Sequence, residues 1–283
     1  MKHSWMIFLL CAMTSAWAEE TVTVRFRAVA GDQDYACGKS YTGIGTTKST
    51  ITPRDFRFYV HNVRLVDAAG KEVPLQLKQD EKWQLDNLAL LDFEDAIGGC
   101  GNGTPDTNYQ IVGSVPAATA FKGIRFTLGV PFEKNHTDLT KMSSPLNLTA
   151  LAWVWNAGRK FARLDFSSTG APRGYAIHLG STGCTPDDTK TTIPTKCSAP
   201  NRAEVEILGF NPLKDVILAD IAALLKDSDV NAAGKMMSGC MSGPQTPACQ
   251  PLFANFGLPF GEQTAQPQTF FRSNSTQVTQ AQR

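Results

Sequence analysis

FRFYVHNVRLV, residues 56–66, is the stretch on which the fold turns. Its residue types alternate, so as a strand it puts Phe56, Phe58 and Val60 on one face and Arg57, Tyr59 and His61 on the other. The same period of two recurs in TVTVRFRAVA (21–30), GIRFTLGV (123–130), ALAWVW (150–155), KFARLDF (160–166) and AEVEILGF (203–210). Turn-forming clusters separate these runs: DAAGKE (67–72), GGCGNGTPDTN (98–108) and TGCTPDDTK (182–190). Short alternating strands parted by Gly, Pro, Asn and Asp predict a mainly β chain, an antiparallel β-sandwich with long loops and one or two short helices. LKDVILADIAALLKD (213–227) reads as helical, because Ile221, Leu224 and Leu225 recur at helical spacing; its first half, DVILAD, fits a strand equally well. No internal repeat or shift in composition demands a linker. One domain is expected over residues 19–272, followed by a polar tail, 273–283, expected to be disordered.

The first eighteen residues, MKHSWMIFLLCAMTSAWA, combine Lys2 and His3, a short apolar run from Trp5 to Ala12, and Ala16-Trp17-Ala18. That order is a positive head, an apolar middle and a small-residue cleavage site, so a secretory signal peptide is expected over residues 1–18, leaving Glu19 as the new terminus. The apolar run is too short for a membrane span, and no later stretch is apolar enough to cross a bilayer. An exported product with no membrane insertion is expected.

Of the seven cysteines, Cys11 leaves with the signal peptide. The remaining Cys37, Cys100, Cys184, Cys197, Cys240 and Cys249 are even in number and exported, which points to disulfides rather than metal thiolates. Proximity favours Cys184–Cys197 and Cys240–Cys249, and leaves Cys37–Cys100 by elimination.

Without Lys2, the 27 Lys+Arg fall to 26 and balance the 26 Asp+Glu. A neutral chain has no global field to draw nucleic acid or an anionic membrane. Hydrolase signatures are missing: there is no G-x-S-x-G elbow, and GSTGC (180–184) has the wrong spacing. GGCGNG leads into Thr-Pro rather than a helix, which argues against a phosphate loop. Asp106, Asp138, Asp187 and Asp188 lack an EF-hand pattern and read as solvated turn carboxylates.

What remains is a pair of tryptophans and a few histidines. In LAWVWNAGRKF (151–161), Trp153 and Trp155 share one strand face with Leu151. The bland reading is two rings packed in a core. The mature chain holds three histidines, His61, His136 and His178, each in a strand or turn with aromatic or glycine neighbours. Imidazole is the commonest metal ligand, though a single histidine is more often a satisfied structural residue. KMMSGCM (235–241) offers Met236, Met237 and Met241 as soft donors, or as packing beside a disulfide.

Six segments together resemble one family, the MbnP-like copper proteins found with methanobactin operons, also known as the four-Cys half of the metallo-mystery pair. They are FRFYVHNVRLVDAAGKEVPL, LALLDFED followed by CGNGTPDTN, IRFTLGVPFEKNHTD, SPLNLTALAWVWNAGRKFARLDF, HLGSTGC and CMSGPQTPAC, in family order from about residue 22 to 272. The four late cysteines look like the four-Cys pattern. The resemblance implies a periplasmic protein that binds one copper ion and is paired with a di-haem enzyme of the cytochrome c peroxidase/MauG type (MbnH-like). In the family that enzyme oxidises the first Trp of WxW to kynurenine, which here is Trp153. An intact indole offers a metal only an N–H, whereas the opened ring carries an aryl amine and a ketone. Two histidines would complete a set suited to Cu(I). His136 and His178 rank first, in the most family-like blocks, and His61 next. Trp155 is expected beside Trp153 as a supporting or electron-relay neighbour, with Asn135 and Asn156 orienting their surroundings by hydrogen bonds. The implied role is copper handling rather than catalysis. Two rivals remain: a disulfide-stapled adhesion or carbohydrate-binding module that stacks ligands on exposed Trp153 and Trp155, and a copper redox enzyme with a substrate cleft.

Overall fold

The computed structural model describes residues 18–117, 120–153, 158–188, 192–231 and 238–276. The expected signal peptide up to residue 17, together with Trp155, Asn156, Met236 and Met237, lies outside the described residues.

The alternating runs become the strands of two stacked sheets. The principal strands are β1 (Glu19–Ala30), β2 (Ser49–Asp67), β3 (Leu88–Asp92), β4 (Gln110–Pro116), β5 (Phe121–Leu128), β6 (Ala162–Ser168), β7 (Tyr175–Leu179), β8 (Ala203–Leu208), β9 (Val216–Asp220), β10 (Ser238–Cys240) and β11 (Phe271–Ser273). The smaller sheet runs β11-β9-β1-β4, with Gln76–Leu77 at its edge. The larger runs β8-β5-β2-β6-β7-β10, and β3 also pairs with β2. Most pairings are antiparallel, as expected; β1 with β9 and β7 with β10 are parallel.

Between the sheets lies an aromatic core. Phe58 of β2 packs edge-on to Phe26 of β1 at 6.1 Å and to Phe271 of β11 at 5.4 Å, and Phe126 meets Phe271 at 5.2 Å. Each such ring contributes about 1.5–3 kcal/mol by leaving water. The Phe56, Phe58 and Val60 face of β2 is therefore the sandwich interior. Its other face is also buried, with Arg57 at 4%, Tyr59 at 0% and His61 at 9% exposure. Loops, rather than a third sheet, cover that outer face, and the candidate site lies among them.

Three details differ from the sequence reading. DVILAD folds as strand β9, and the helix α2 begins only at Ile221–Leu225. Asp220 sets that boundary, accepting the amide protons of Ala222 and Ala223 at the helix start. ALAWVW is not one strand: Thr149–Leu151 form a turn of 3-10 helix, and the described strand is Ala152–Trp153 alone. Leu151 is thus no strand neighbour of Trp153, because its amide bonds back to Leu148. The polar tail starts later than expected: Ser273 ends β11 and is fully buried, and Asn274 accepts the Val216 amide proton at 2.9 Å. Residues 277–283 lie outside the described residues.

The structure pairs Cys184 with Cys197 and Cys240 with Cys249, as proximity suggested, and Cys37 with Cys100, the pair left by elimination. Among the described residues, no helix is long and apolar enough to cross a membrane.

Candidate metal centre

Two short elements bring Trp153 and His136 to one cavity. His136 caps the one-turn helix α1 (Phe132–Asn135), its ring 5.2 Å from that of Phe132. Trp153 ends the strand Ala152–Trp153, which pairs with Gly158–Arg159 so that Trp153 stands opposite Gly158. Gly158 permits the approach: a Cβ there would sit 3.3 Å from Asn135 Nδ2 and 3.4 Å from His136 Cε1. Trp153 and His136 both line a cavity of about 950 Å³, whose wall includes Leu139, Met142 and Ile193. Trp153 is only 5% exposed.

Asn135, fully buried, sets the protonation of His136. Its Oδ1 accepts the Arg159 amide proton at 2.8 Å, which turns Nδ2 toward His136 Nε2 at 3.0 Å. An amide nitrogen only donates, so His136 Nε2 is the unprotonated nitrogen. Cys197 Sγ lies 3.3 Å from the same atom.

Arg159 ties these parts together. Its side chain is 2% exposed and faces no carboxylate at bonding distance; it donates to the carbonyls of Lys134, Asn135, Thr137 and Leu146. Burial lowers its pKa from the ordinary value. One guanidinium thus pins the segment carrying His136 to the loop at Leu146.

His178, on β7, faces the buried ion cluster on the outer face of the large sheet. Its Nε2 bonds to Asp165 Oδ1 at 2.9 Å, and Asp165 also bonds Arg163 at 2.8 Å. Burial pushes the Asp165 carboxyl up, but the His178 hydrogen bond and the charges of His178 and Arg163 outweigh it and hold its pKa below the ordinary value. Nδ1 of His178 is buried and has no hydrogen-bond partner among the described residues. Two residues on, Gly180 lies against the benzo edge of Trp153: a Cβ there would fall 2.5 Å from Cζ3. His136 thus lines the same cavity as the indole, and His178 lies two residues before the glycine that the indole rests on.

His61 reaches the same sheet face from β2. Its Nδ1 meets the Gly129 carbonyl at 2.9 Å, which leaves Nε2 with the lone pair. Burial lowers its pKa and favours the neutral ring, against the Gly129 bond; Arg202, Glu133 and Glu204 act on its charge. Glu133, whose charge acts on His61, lines the cavity, while His61 itself is not among the residues that line it.

The donor chemistry fits a soft or borderline metal. A ring nitrogen of His178 is held by a carboxylate and one of His61 by a carbonyl, the outer support that metal-binding histidines use, and the other ring nitrogen of His178 is buried without a hydrogen-bond partner among the described residues. A platform for stacking sugars needs an exposed indole, and Trp153 is buried. Met241 is 40% exposed beside the Cys240–Cys249 bridge, away from these residues in the chain. Sequence reasoning missed Arg159, whose trace was a basic residue inside an apolar run, and the glycines at 158 and 180. It also missed the disulfide beside His136, because Cys184 and Cys197 lie 48 and 61 residues from His136 in sequence.

A family model for MbnP matches residues 19–242. Among solved structures, MbnP from Methylosinus trichosporium matches with a TM-score of 0.78 at 27% identity, covering 90% of this chain and 98% of that one. No curated protein matches in sequence.

Proposed function

Since this chain belongs to the MbnP family, we propose that it is an exported, periplasmic copper-binding protein, not itself an enzyme. It holds one copper ion, as Cu(I), through His136, His178 and a kynurenine made from Trp153 by a di-haem partner of the cytochrome c peroxidase/MauG type. The observation that carries this reading is the Trp153–Gly158 pairing, which rests the indole's strand against His136 within one cavity. His61 is the reserve ligand.

In this reading the chain supplies three things. Two imidazoles are oriented by their neighbours, His178 by its bond to Asp165 and His136 by its bond to Asn135. The ring of Trp153 lies against Gly180 and its strand pairs with Gly158, so an aryl amine made there would form at the cavity that His136 also lines. Copper supplies a soft acceptor for these donors. Trp155, beside Trp153 in sequence, is the relay through which electrons pass to the haem partner. The role is copper handling.

The test is expression with and without the di-haem partner, followed by metal analysis and peptide mass. The partner should raise copper content to one ion per chain, and the Trp153 peptide should gain one oxygen and lose one carbon. Equal copper in both preparations, or an unmodified peptide from the native source, overturns the proposal.

A further inference from the structure

The Cys184–Cys197 bridge lies closer to the candidate centre than any role in stapling a loop requires. The two cysteines stand directly opposite in the ribbon formed by Thr182–Thr185 and Lys196–Ala199. His136 Nε2 and the two sulfurs all lie within 4.8 Å of one another. We propose that this disulfide is a redox gate: reduced by a dithiol, Cys184 and Cys197 join His136 in a second soft-metal site, of the Cys₂His type.

Geometry favours this. With metal–sulfur bonds of about 2.3 Å and metal–nitrogen bonds of about 2.0 Å, tetrahedral ligands stand about 3.5 Å apart for N and S and about 3.8 Å apart for two sulfurs. Cys197 Sγ already stands 3.3 Å from His136 Nε2. Once the S–S bond opens, the sulfur pair needs to spread, and Cys184 Sγ starts within 4.8 Å of His136. His136 presents an unprotonated nitrogen toward Cys197, because Asn135 donates to it; a cation takes over the lone pair that Asn135 now engages.

Accessibility favours it too. Each of the other bridges contains a buried cysteine: Cys100 is 0% exposed, Cys240 2% and Cys249 0%. Cys184 and Cys197 are both half-buried, so this is the bridge whose two sulfurs a reductant can reach. The segment it closes also carries Ile193 and Pro194, which line the cavity.

The chemistry balances. The dithiol gives two electrons and two protons to the S–S bond, yields two thiols and itself becomes a disulfide. A soft cation such as Cd²⁺, Zn²⁺ or Cu⁺ then displaces both thiol protons. The site needs no kynurenine and stands apart from the proposed function. Where both hold, His136 is shared, and reduction draws it away from the Trp153 side.

The test uses the mature chain with Trp153 intact, expressed without any haem partner. Beads carrying a phosphine reductant open the bridge and are removed before Cd²⁺ is added. Alkylation and peptide mapping should find Cys184 and Cys197 labelled before the other four cysteines. The reduced protein should show the ultraviolet thiolate-to-cadmium band with one equivalent, and the oxidised protein none. His136→Ala, which leaves the disulfide intact before reduction, should weaken cadmium binding at least tenfold. Cys184→Ser/Cys197→Ser should abolish the band. A band that survives the double variant, or an affinity unmoved by His136→Ala, overturns the proposal, as does a reduced protein that gives no band.

Discussion

Gly180 and Trp153 are in contact so close that no side chain fits between them: a Cβ at 180 would lie 2.5 Å from Cζ3 and 2.8 Å from Cη2 of the indole, and 2.9 Å from the Arg159 carbonyl. The ring's position is therefore fixed by the absence of a methyl group on the strand that also carries His178. Gly180→Ala should push the indole out of place, at an overpacking cost of about 1–3 kcal/mol. Thermal unfolding measures the cost, and a shifted tryptophan emission reports the displacement. A variant with unchanged melting and emission contradicts the contact.

Arg159 should be the most damaging single residue to alter around the site. Arg159→Gln removes donors from the carbonyls of Lys134, Asn135, Thr137 and Leu146. Stranding buried acceptors costs about 1–3 kcal/mol each, partly relieved by water, so a loss of about 3 kcal/mol or more is expected. Denaturant unfolding tests this. Lysine should not rescue it, since a point charge cannot reach carbonyls on two separate loops.

Asn135→Ala removes the bond to His136 Nε2 and the acceptor for the Arg159 amide. If His136 holds copper through Nε2, loss of that competing donor should raise metal affinity in the Trp153-modified protein. Competition with a copper(I) chelator reads the change. The aspartate variant is the control, because it restores the acceptor for Arg159 but not the donor to His136.

Stability should depend on pH through Asp92. Burial pushes its carboxyl up to about 8, against the nearby charge of Arg57 and the Glu94 amide. The folded protein therefore holds a proton that the unfolded chain releases near the ordinary 3.8. This contribution is fully present below about pH 4 and is lost as pH rises toward 8. Asp92→Asn keeps an acceptor for the Glu94 amide and should flatten the slope. Melting temperature measured at intervals between pH 5 and 8.5 decides; a variant as pH-dependent as the parent contradicts the assignment.

Much of this was legible in the chain. Alternation in FRFYVHNVRLV placed Phe58 in the core and His61 on the opposite face, because the two-residue period is a local property of extended backbone. The three disulfide pairs followed from short separations and one remainder. The split at Asp220 was half legible: the apolar run before it fits two structures, and the decision belongs to β1, which offers Phe26 and Arg27 as parallel partners to Ile217 and Leu218.

The sequence by itself determined which face of each strand is apolar, which cysteines could close short loops, and that Trp153 and the histidines sit in unusual company. Only the tertiary structure decided that His136 and Trp153 line one cavity, that Gly180 lies against the indole, and that Cys197 touches His136 across 61 residues. Periodicity reports which way a side chain points from its own strand. It carries no record of which loop folds over that face, since that is settled by glycines without side chains and by Arg159 binding carbonyls from two separate segments.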